Sequence, residues 1–226
     1  GRIGIAGAGI GGAHFTGTGG LTVSAGVNLT DDTNNYTSST AFNGAGGSTF
    51  TSIGNLGDAS SLGAPNTVAD GTIIISNPSG TTGTRTVSYV GNGDVSNRNW
   101  VLTANGYRGV GLTNSGTGTL TLTGAISVNR TSLANTPSFT AQTADLELLG
   151  VISGNEVAFN ANAGRVLRLG DANTFASGSI GGAGRVEAAT LANVGVASSL
   201  GAGGGTNISG TLSYVGRTAE AVKHAE

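Results

Sequence analysis

The chain alternates short runs of apolar and hydroxyl residues with single glycines, asparagines and aspartates. In residues 118–124, GTLTLTG, Leu120 and Leu122 point to one side of an extended strand and the threonines point to the other. Seven further segments share this two-residue period: 19–26, 71–76, 85–91, 99–106, 144–150, 164–170 and 210–216. Such segments between turn residues predict β-strands with one buried and one wet face, and almost no segment predicts a helix.

The sequence also repeats itself over a long interval. NLGDASSLGA at residues 55–64 returns as NVGVASSLGA at residues 193–202, which is 138 positions later, and the same shift aligns Asn35 with Asn173 and Gly44–Gly46 with Gly182–Gly184. A fixed period is the signature of stacked repeats. We therefore expect one continuous β-solenoid over residues 1–226, a repeat of about 138 residues with a second copy that starts near residues 160–170, and a tail or linker at 217–226.

A solenoid coil of about 20 to 25 residues would place roughly six coils in one such repeat. The polar stretches 31–37 and 93–99 are then expected at corners or in loops. Composition favours the same architecture, because 42 glycines and only 10% charged residues leave a thin core of small side chains that suits stacked coils. The expected fold is all-β, with Gly- and Asn-rich corners and few or no helices.

Three segments, 116–127, 170–205 and 209–216, resemble the passenger-associated repeats of bacterial autotransporters. Asn173-Thr174-Phe175 stands where that family has Asn-Thr-Tyr, and Leu200-Gly201 and Gly210–Tyr214 match later elements of its pattern. The resemblance implies a right-handed parallel β-helix that is exported and displayed outside the cell. Such passengers usually precede a C-terminal barrel, whose amphipathic strands have no counterpart in residues 217–226.

Charge and composition argue against several classes of partner. A net charge of −2 and a pI near 5.6 provide no basic patch for nucleic acid, and no apolar run approaches the roughly 20 residues of a membrane span. Cysteine is absent and His14 and His224 are the only histidines, so no zinc site and no cofactor are predicted. Gly7-x-Gly9-x-x-Gly12 matches a dinucleotide fingerprint, but no helical pattern follows it, so a solenoid coil is expected there.

Asp31 and Asp32 open a stretch rich in the oxygen ligands that calcium prefers. The expected structure is an Asx-rich turn, with calcium binding as the alternative. The aromatic residues Trp100, Tyr89, Tyr107 and Tyr214 are expected to pack at corners or ends, or alternatively to form a contact shelf for sugars.

Some β-helices cleave polysaccharides with clustered carboxylates. The best candidates for such a site are Asp145 with Glu147, and Arg98 or Arg108 near Asp94 and Trp100. Acidic residues that alternate along one strand are more typical of a solvated stripe, so no catalytic residue is predicted.

The expected function is therefore that of an extracellular structural or adhesive β-helix on, or released from, a bacterial surface, without catalysis. Expected partners are neighbouring repeats or further copies of the same protein, and cell-surface glycans. Two alternatives stay open: a subunit of a self-assembling filament or matrix fibre, and a polysaccharide-active enzyme.

Overall fold

The computed structural model describes residues 2–5, 12–77, 84–105, 109–131, 135–170 and 172–216. Within these ranges the chain forms short strands and one helical turn. In chain order they are β1 (Arg2–Ile5), β2 (Gly20–Ala25), β3 (Asn28–Leu29), β4 (Thr40–Ala45), β5 (Ser48–Phe50), α1 (Val68–Gly71), β6 (Ile73–Asn77), β7 (Arg85–Tyr89), β8 (Asn92–Ser96), β9 (Trp100–Asn105), β10 (Val110–Asn114), β11 (Gly118–Leu122), β12 (Ile126–Thr131), β13 (Ser138–Ala141), β14 (Leu146–Leu148), β15 (Ile152–Gly154), β16 (Glu156–Ala161), β17 (Val166–Leu169), β18 (Ser177–Gly181), β19 (Arg185–Ala188), β20 (Gly205–Ile208) and β21 (Thr211–Tyr214).

The strands form three sheets that run along the molecule. Sheet A has the order β1-β2-β4-β6-β9-β12-β15, sheet B the order β20-β18-β16-β13-β10-β7-β5-β3, and sheet C the order β21-β19-β17-β14-β11-β8. All pairings between these strands are parallel. From β6 to β17 the chain visits the sheets in turn, so each coil adds one strand to each face, whereas the described coils before and after this range lack a strand on sheet C or sheet A. The predicted parallel β-helix is confirmed. Its right-handed sense stays a prediction.

The register gives the length of each coil. Leu120 pairs with Leu146 and Leu146 with Leu167, so successive coils on sheet C take 26 and 21 residues. On sheet B, Ser48 pairs with Val87, a step of 39 residues, because this coil carries the long insertion that contains α1. Coil length is therefore less uniform than the expected 20 to 25 residues.

The core consists of side-chain columns that run along the axis. Inward positions pair only with inward positions, because parallel strands in register keep alternate residues on the same face. Each sheet contributes such columns: Ile73, Trp100, Ile126 and Ile152 on sheet A, Val87, Leu112, Phe139, Phe159 and Ile180 on sheet B, and Leu120, Leu146, Leu167 and Val186 on sheet C. All of these side chains are buried.

One local expectation from the sequence differs from the structure. Residues 93–99 were expected in a corner or loop, but Asn92–Ser96 forms β8, because its backbone pairs in register with β11. Its side chains are mostly exposed, and only Ser96 is buried, so it lacks the apolar alternation of the other strands. α1 is a single helical turn, in agreement with the few or no helices expected, and the Thr67 side chain caps it by accepting from the amide of Asp70.

Candidate functional site

Two loops with nearly the same sequence fold in the same way. We call residues 52–64 loop one and residues 190–202 loop two. In loop one, Ser60 Oγ donates to the carbonyl of Gly63 at 2.9 Å and accepts from the amide of Leu62 at 3.2 Å. In loop two, Ser198 makes the corresponding bonds to Gly201 and Leu200 at 3.0 and 3.2 Å. The neighbouring pairs also correspond, since Ser61 bonds to Ser52 as Ser199 bonds to Thr190.

Each loop rests on an asparagine of the preceding coil. The amide of Asn34 donates to the carbonyl of Ser61 at 3.2 Å, and that of Asn173 donates to the carbonyl of Ser199 at 3.1 Å. Asn34 also accepts from the amide of Phe15, and Asn173 from the amide of Ile152, so each side chain joins three successive coils. The structural partner of Asn173 is therefore Asn34. The pairing with Asn35 expected from sequence is wrong by one residue, since an ungapped shift ignores the extra residue between the motifs.

A glycine is required at the end of each loop. Gly63 and Gly201 have φ angles of +78° and +82°. A Cβ at Gly63 would lie 2.6 Å from the carbonyl oxygen of Tyr36, and one at Gly201 would lie 2.4 Å from that of Phe175. The rings of Tyr36 and Phe175, each two residues after its asparagine, therefore pack directly against the backbone of Gly63 and Gly201.

The two loops lie on different faces of the β-helix. Loop one leads into β6 of sheet A, whereas loop two leads into β20 of sheet B. In the same way, Gly44–Gly46 lies at the end of β4, where the chain passes from sheet A to sheet B, and Gly182–Gly184 lies where it passes from sheet B to sheet C. The second motif is therefore turned by one face of the three-sided rod relative to the first.

A surface depression lies at the corner between sheets B and C. We call it the corner cleft. It has a volume of about 470 Å³ and is lined by Asp32, Thr51, Ser52, Tyr89, Val90, Gly91, Asn92, Gly93 and Asp94. The space exists because the chain turns through glycines, since a Cβ at Gly91 would lie 2.1 Å from the carbonyl oxygen of Thr51 and Gly93 has a φ of +114°.

Both carboxylates of the corner cleft are held by hydrogen bonds. Asp32 accepts from the hydroxyls of Thr51 and Ser52 at 2.6 and 2.7 Å, and Asp94 accepts from the amide of Ile53 at 2.7 Å. Burial, together with these two negative charges, raises the pKa of Tyr89, whose hydroxyl accepts from the amide of Gly93. No lysine or arginine is among the described residues that line the cleft, so its potential is negative.

Asp31 and Asp32 do not converge on one point. Asp31 contacts His14 on the preceding coil at 3.0 Å, whereas Asp32 contacts Thr51 and Ser52 on the following coil. Hydrogen bonds from the Thr33 hydroxyl and amide, and then His14, hold the pKa of Asp31 below its usual value. Asp31 and the Thr33 hydroxyl both contact Nδ1 of His14, so the three do not form the relay of a catalytic triad.

The candidate contact aromatics lie in different environments. Trp100 and Tyr89 are buried in the core, where both rings pack against Phe50 at centroid distances of 6.2 and 5.5 Å. Tyr214 is exposed on β21. Tyr107 lies outside the described residues. Trp100 and Tyr89 thus pack in the core, and their rings are not accessible to a sugar.

The candidate catalytic carboxylates have structural partners. Asp145 accepts from the amide of Val166, and Glu147 accepts from Thr121 and forms an ion pair with Arg168. Arg168 also pairs with Glu187, and Glu187 pairs with Arg185. Although burial opposes its ionisation, these two guanidinium groups lower the pKa of Glu187. Glu147 and Glu187 thus belong to an ion-pair column on sheet C, whereas Asp145 is held by a backbone amide. Arg108 lies outside the described residues.

A polar cluster inside the core was not foreseen from the sequence. Arg98 is almost fully buried, and it donates from Nε to the carbonyl of Gly71 and from Nη1 to the carbonyl of Leu62, at 2.8 and 2.7 Å. Burial lowers the pKa of its guanidinium to about 10, although nearby Tyr36 opposes this shift. Arg98 thereby fastens the end of loop one and α1 to the next coil.

We expect Tyr36 to ionise only at strongly alkaline pH. Burial raises its pKa to about 12 from the ordinary 10.0, although its hydroxyl bonds to Thr40 at 2.6 Å. Because the folded-state pKa is the higher one, its contribution to stability is complete below pH 10 and is lost as the pH rises toward 12. Ultraviolet titration of tyrosinate should show a late step that is missing in Tyr36→Phe. A Tyr36→Phe titration that keeps this step would contradict the assignment.

The described residues form neither a metal site nor a membrane-spanning helix. No three histidine, aspartate or glutamate side chains come together there as a metal site would require, and no described helix has the length and apolarity needed to cross a membrane. Of the fingerprint glycines, only Gly12 is described, and residues 12–19 lead into β2 without a helix.

Comparison with known proteins gives one strong match. The chain is 45% identical over 228 residues to "Adhesin BmaC autotransporter" of Brucella suis biovar 1 (strain 1330). The alignment covers 96% of this chain and 7% of that protein. No family model and no solved structure matches. The resemblance to bacterial autotransporter passengers is confirmed, and the chain is a parallel β-helix related over nearly its whole length to a segment of an autotransporter adhesin.

Proposed function

We propose that this chain is an adhesive segment of an exported bacterial surface protein, and that it acts by structure and contact rather than by catalysis. The observation that carries this proposal is the 45% identity to a protein named as an autotransporter adhesin. The carboxylates considered for catalysis support it, because Asp145 and Glu147 are engaged by the backbone and by Arg168.

The β-helix suits a role as a stiff spacer. Its core columns and hydrogen-bond ladders run without interruption from coil to coil on sheet C, from β8 to β21. In such arrays stability comes from contacts between neighbouring coils, so the rod is extended without a large central core. Contacts with a target then fall to clefts and loops at its corners.

The corner cleft is the contact site that we favour. Asp32, Asp94, Asn92 and the hydroxyls beside them provide acceptors and donors within a volume of about 470 Å³, which suits one or two sugar rings. Because two carboxylates line it and no described cation does, sialylated or sulfated glycans would be repelled. We therefore propose that the ligand is a neutral or amino-sugar glycan of a cell surface.

Displaying the chain on a non-adherent bacterium tests this proposal. We expect adherence to surfaces coated with neutral or amino-sugar glycans and little adherence to sialylated ones. Asp32→Ala should weaken glycan binding about tenfold or more, because a hydrogen bond to a charged group contributes about 1.5–3 kcal/mol. The matched control is Asp58→Ala, since Asp58 lies in loop one outside the cleft and bonds only locally, to the amide of Asn55.

The adhesive role of the chain and the corner cleft as its glycan site can be rejected separately. Adherence that is equal for the wild type and Asp32→Ala would reject the corner cleft and leave the adhesive role intact. A displayed chain that binds no glycan-coated surface and no host cell would reject the adhesive role of this segment.

A filament subunit is the second candidate function. The observation that favours it is the edge of β20 and β21, since each has a strand neighbour on one side only among the described strands. Negative-stain electron microscopy of the purified chain distinguishes the two, because a filament subunit gives long polymers and an adhesive segment gives short rods.

A further inference from the structure

Loop one is covered by the coil that follows it. β8 lies along loop one, where Asp94 accepts from the amide of Ile53 and Asn97 accepts from the amide of Leu56 at 2.9 Å. Ser96 donates to the carbonyl of Gly54 at 2.9 Å. Ile53 is consequently buried, and the Leu56 side chain packs against Gly71 at the end of α1.

Loop two has the same fold, and no described residue covers it in this way. Leu191 stands where loop one has Ile53, and it is 54% exposed, whereas Ile53 is 0% exposed. Val194 stands in the place of Leu56 and is 74% exposed. A groove of about 260 Å³ lies beside Ala192–Val194 and ends at Ile208, which is exposed as well. Leu191, Val194 and Ile208 are thus three large apolar side chains exposed on loop two and the strand that follows it, and groups of exposed apolar residues often mark a contact surface.

The order of strands around the axis indicates what covers these side chains. Loop one is followed by β6, β7 and β8 on sheets A, B and C, and the third of these strands lies on the loop. Loop two is followed by β20 and β21 on sheets B and C. Because the second motif is turned by one face, the third strand of its coil belongs on sheet A, directly over Leu191–Val194.

We propose that loop two is the docking site for a strand of one further β-helical coil of the same polypeptide. The amides of Leu191 and Val194 have no hydrogen-bond partner among the described residues. They correspond to the amides that Asp94 and Asn97 satisfy in loop one. The docking strand therefore presents a carboxylate and a carboxamide three residues apart, with a hydroxyl between them. The curated relative has the length to supply such a coil, since the matched segment is 7% of it.

Thiol labelling tests the proposal, because the chain contains no cysteine and each variant therefore carries a single thiol. Leu191→Cys should react rapidly with a maleimide in the isolated 226-residue chain. In the longer surface polypeptide that includes the proposed further coil, the same thiol should react at least tenfold more slowly. Ile53→Cys, at the matched covered position, should react slowly in both. Val95→Cys, on an exposed position of β8, should react rapidly in both.

Three outcomes decide the matter. A large decrease of the Leu191→Cys rate in the intact polypeptide supports the proposal. Equal rapid labelling in both contexts overturns it, since loop two would then be free surface. Slow labelling in the isolated chain that becomes rapid on dilution also overturns it, because a second copy would then be the cover. Should Ile53→Cys fold poorly, amide hydrogen exchange of residues 53–56 against 191–194 in the unsubstituted chain gives the same comparison.

Discussion

Phe159→Ala is expected to lower the free energy of unfolding by about 3–5 kcal/mol. Phe159 is fully buried on sheet B, and its ring lies between those of Phe139 and Phe175 at centroid distances of 6.3 and 5.6 Å. Truncation removes two ring contacts and leaves a cavity that the flanking coils cannot fill, because their backbones are fixed by the ladder. Urea denaturation followed by circular dichroism measures the loss.

The same change should act locally along the rod. Stability in a solenoid is the sum of neighbouring interfaces, so hydrogen exchange should rise most in β13, β16 and β18. Phe159→Leu should cost less, because it keeps much of the apolar volume. Tyr214→Ala changes an exposed position, so its free energy of unfolding should lie within about 0.5 kcal/mol of the wild-type value. An unfolding free energy for Phe159→Ala equal to that of Tyr214→Ala would contradict the proposed core packing.

Arg98→Ala is expected to lower the free energy of unfolding by about 3 kcal/mol. It leaves the carbonyls of Leu62 and Gly71 without the guanidinium donors, at about 1–3 kcal/mol for each buried unpaired group. Residues 62–72 should exchange their amides faster than the neighbouring strands. Chemical denaturation and hydrogen exchange together measure both effects.

Arg98→Met separates the charge of Arg98 from its volume. Methionine fills most of the space but donates no hydrogen bond, so the faster exchange of residues 62–72 should persist while the loss of stability is smaller. Arg185→Ala is the control, since Arg185 is exposed and pairs with Glu187 at the surface. Unchanged exchange of residues 62–72 in Arg98→Ala would show that the guanidinium does not fasten loop one.

The period-two pattern was sufficient to predict many strands. Seven of the eight segments chosen from the sequence contain a strand and the eighth, 71–76, overlaps β6, because burial on one face selects an apolar residue at every second position. β8 was missed since backbone pairing with β11, rather than its own side chains, keeps Asn92–Ser96 extended. Short strands such as β3 and β15, of two and three residues, are too brief to show a period.

The sites were harder to predict because stacking creates them. The corner cleft joins residues from three coils, Asp32, Thr51 and Asn92, that no local spacing connects. The buried position of Arg98 depends on two carbonyls that lie 27 and 36 residues away. The long repeat in the sequence identified loops one and two, but a shift counted in residues cannot show that they lie on different faces, because coils differ in length.

The direction of the hydrogen bonds between coils decides how this rod responds to tension. These bonds run along the axis, so a pull on the two ends loads the bonds of one coil at a time and peels the coils off in sequence. A coil of 26 residues, such as that from Leu120 to Leu146, occupies about 4.8 Å of the axis but reaches roughly 85–95 Å when drawn out. If a cell were tethered through such a segment, the segment would lengthen under flow before the adhesive contact itself dissociates.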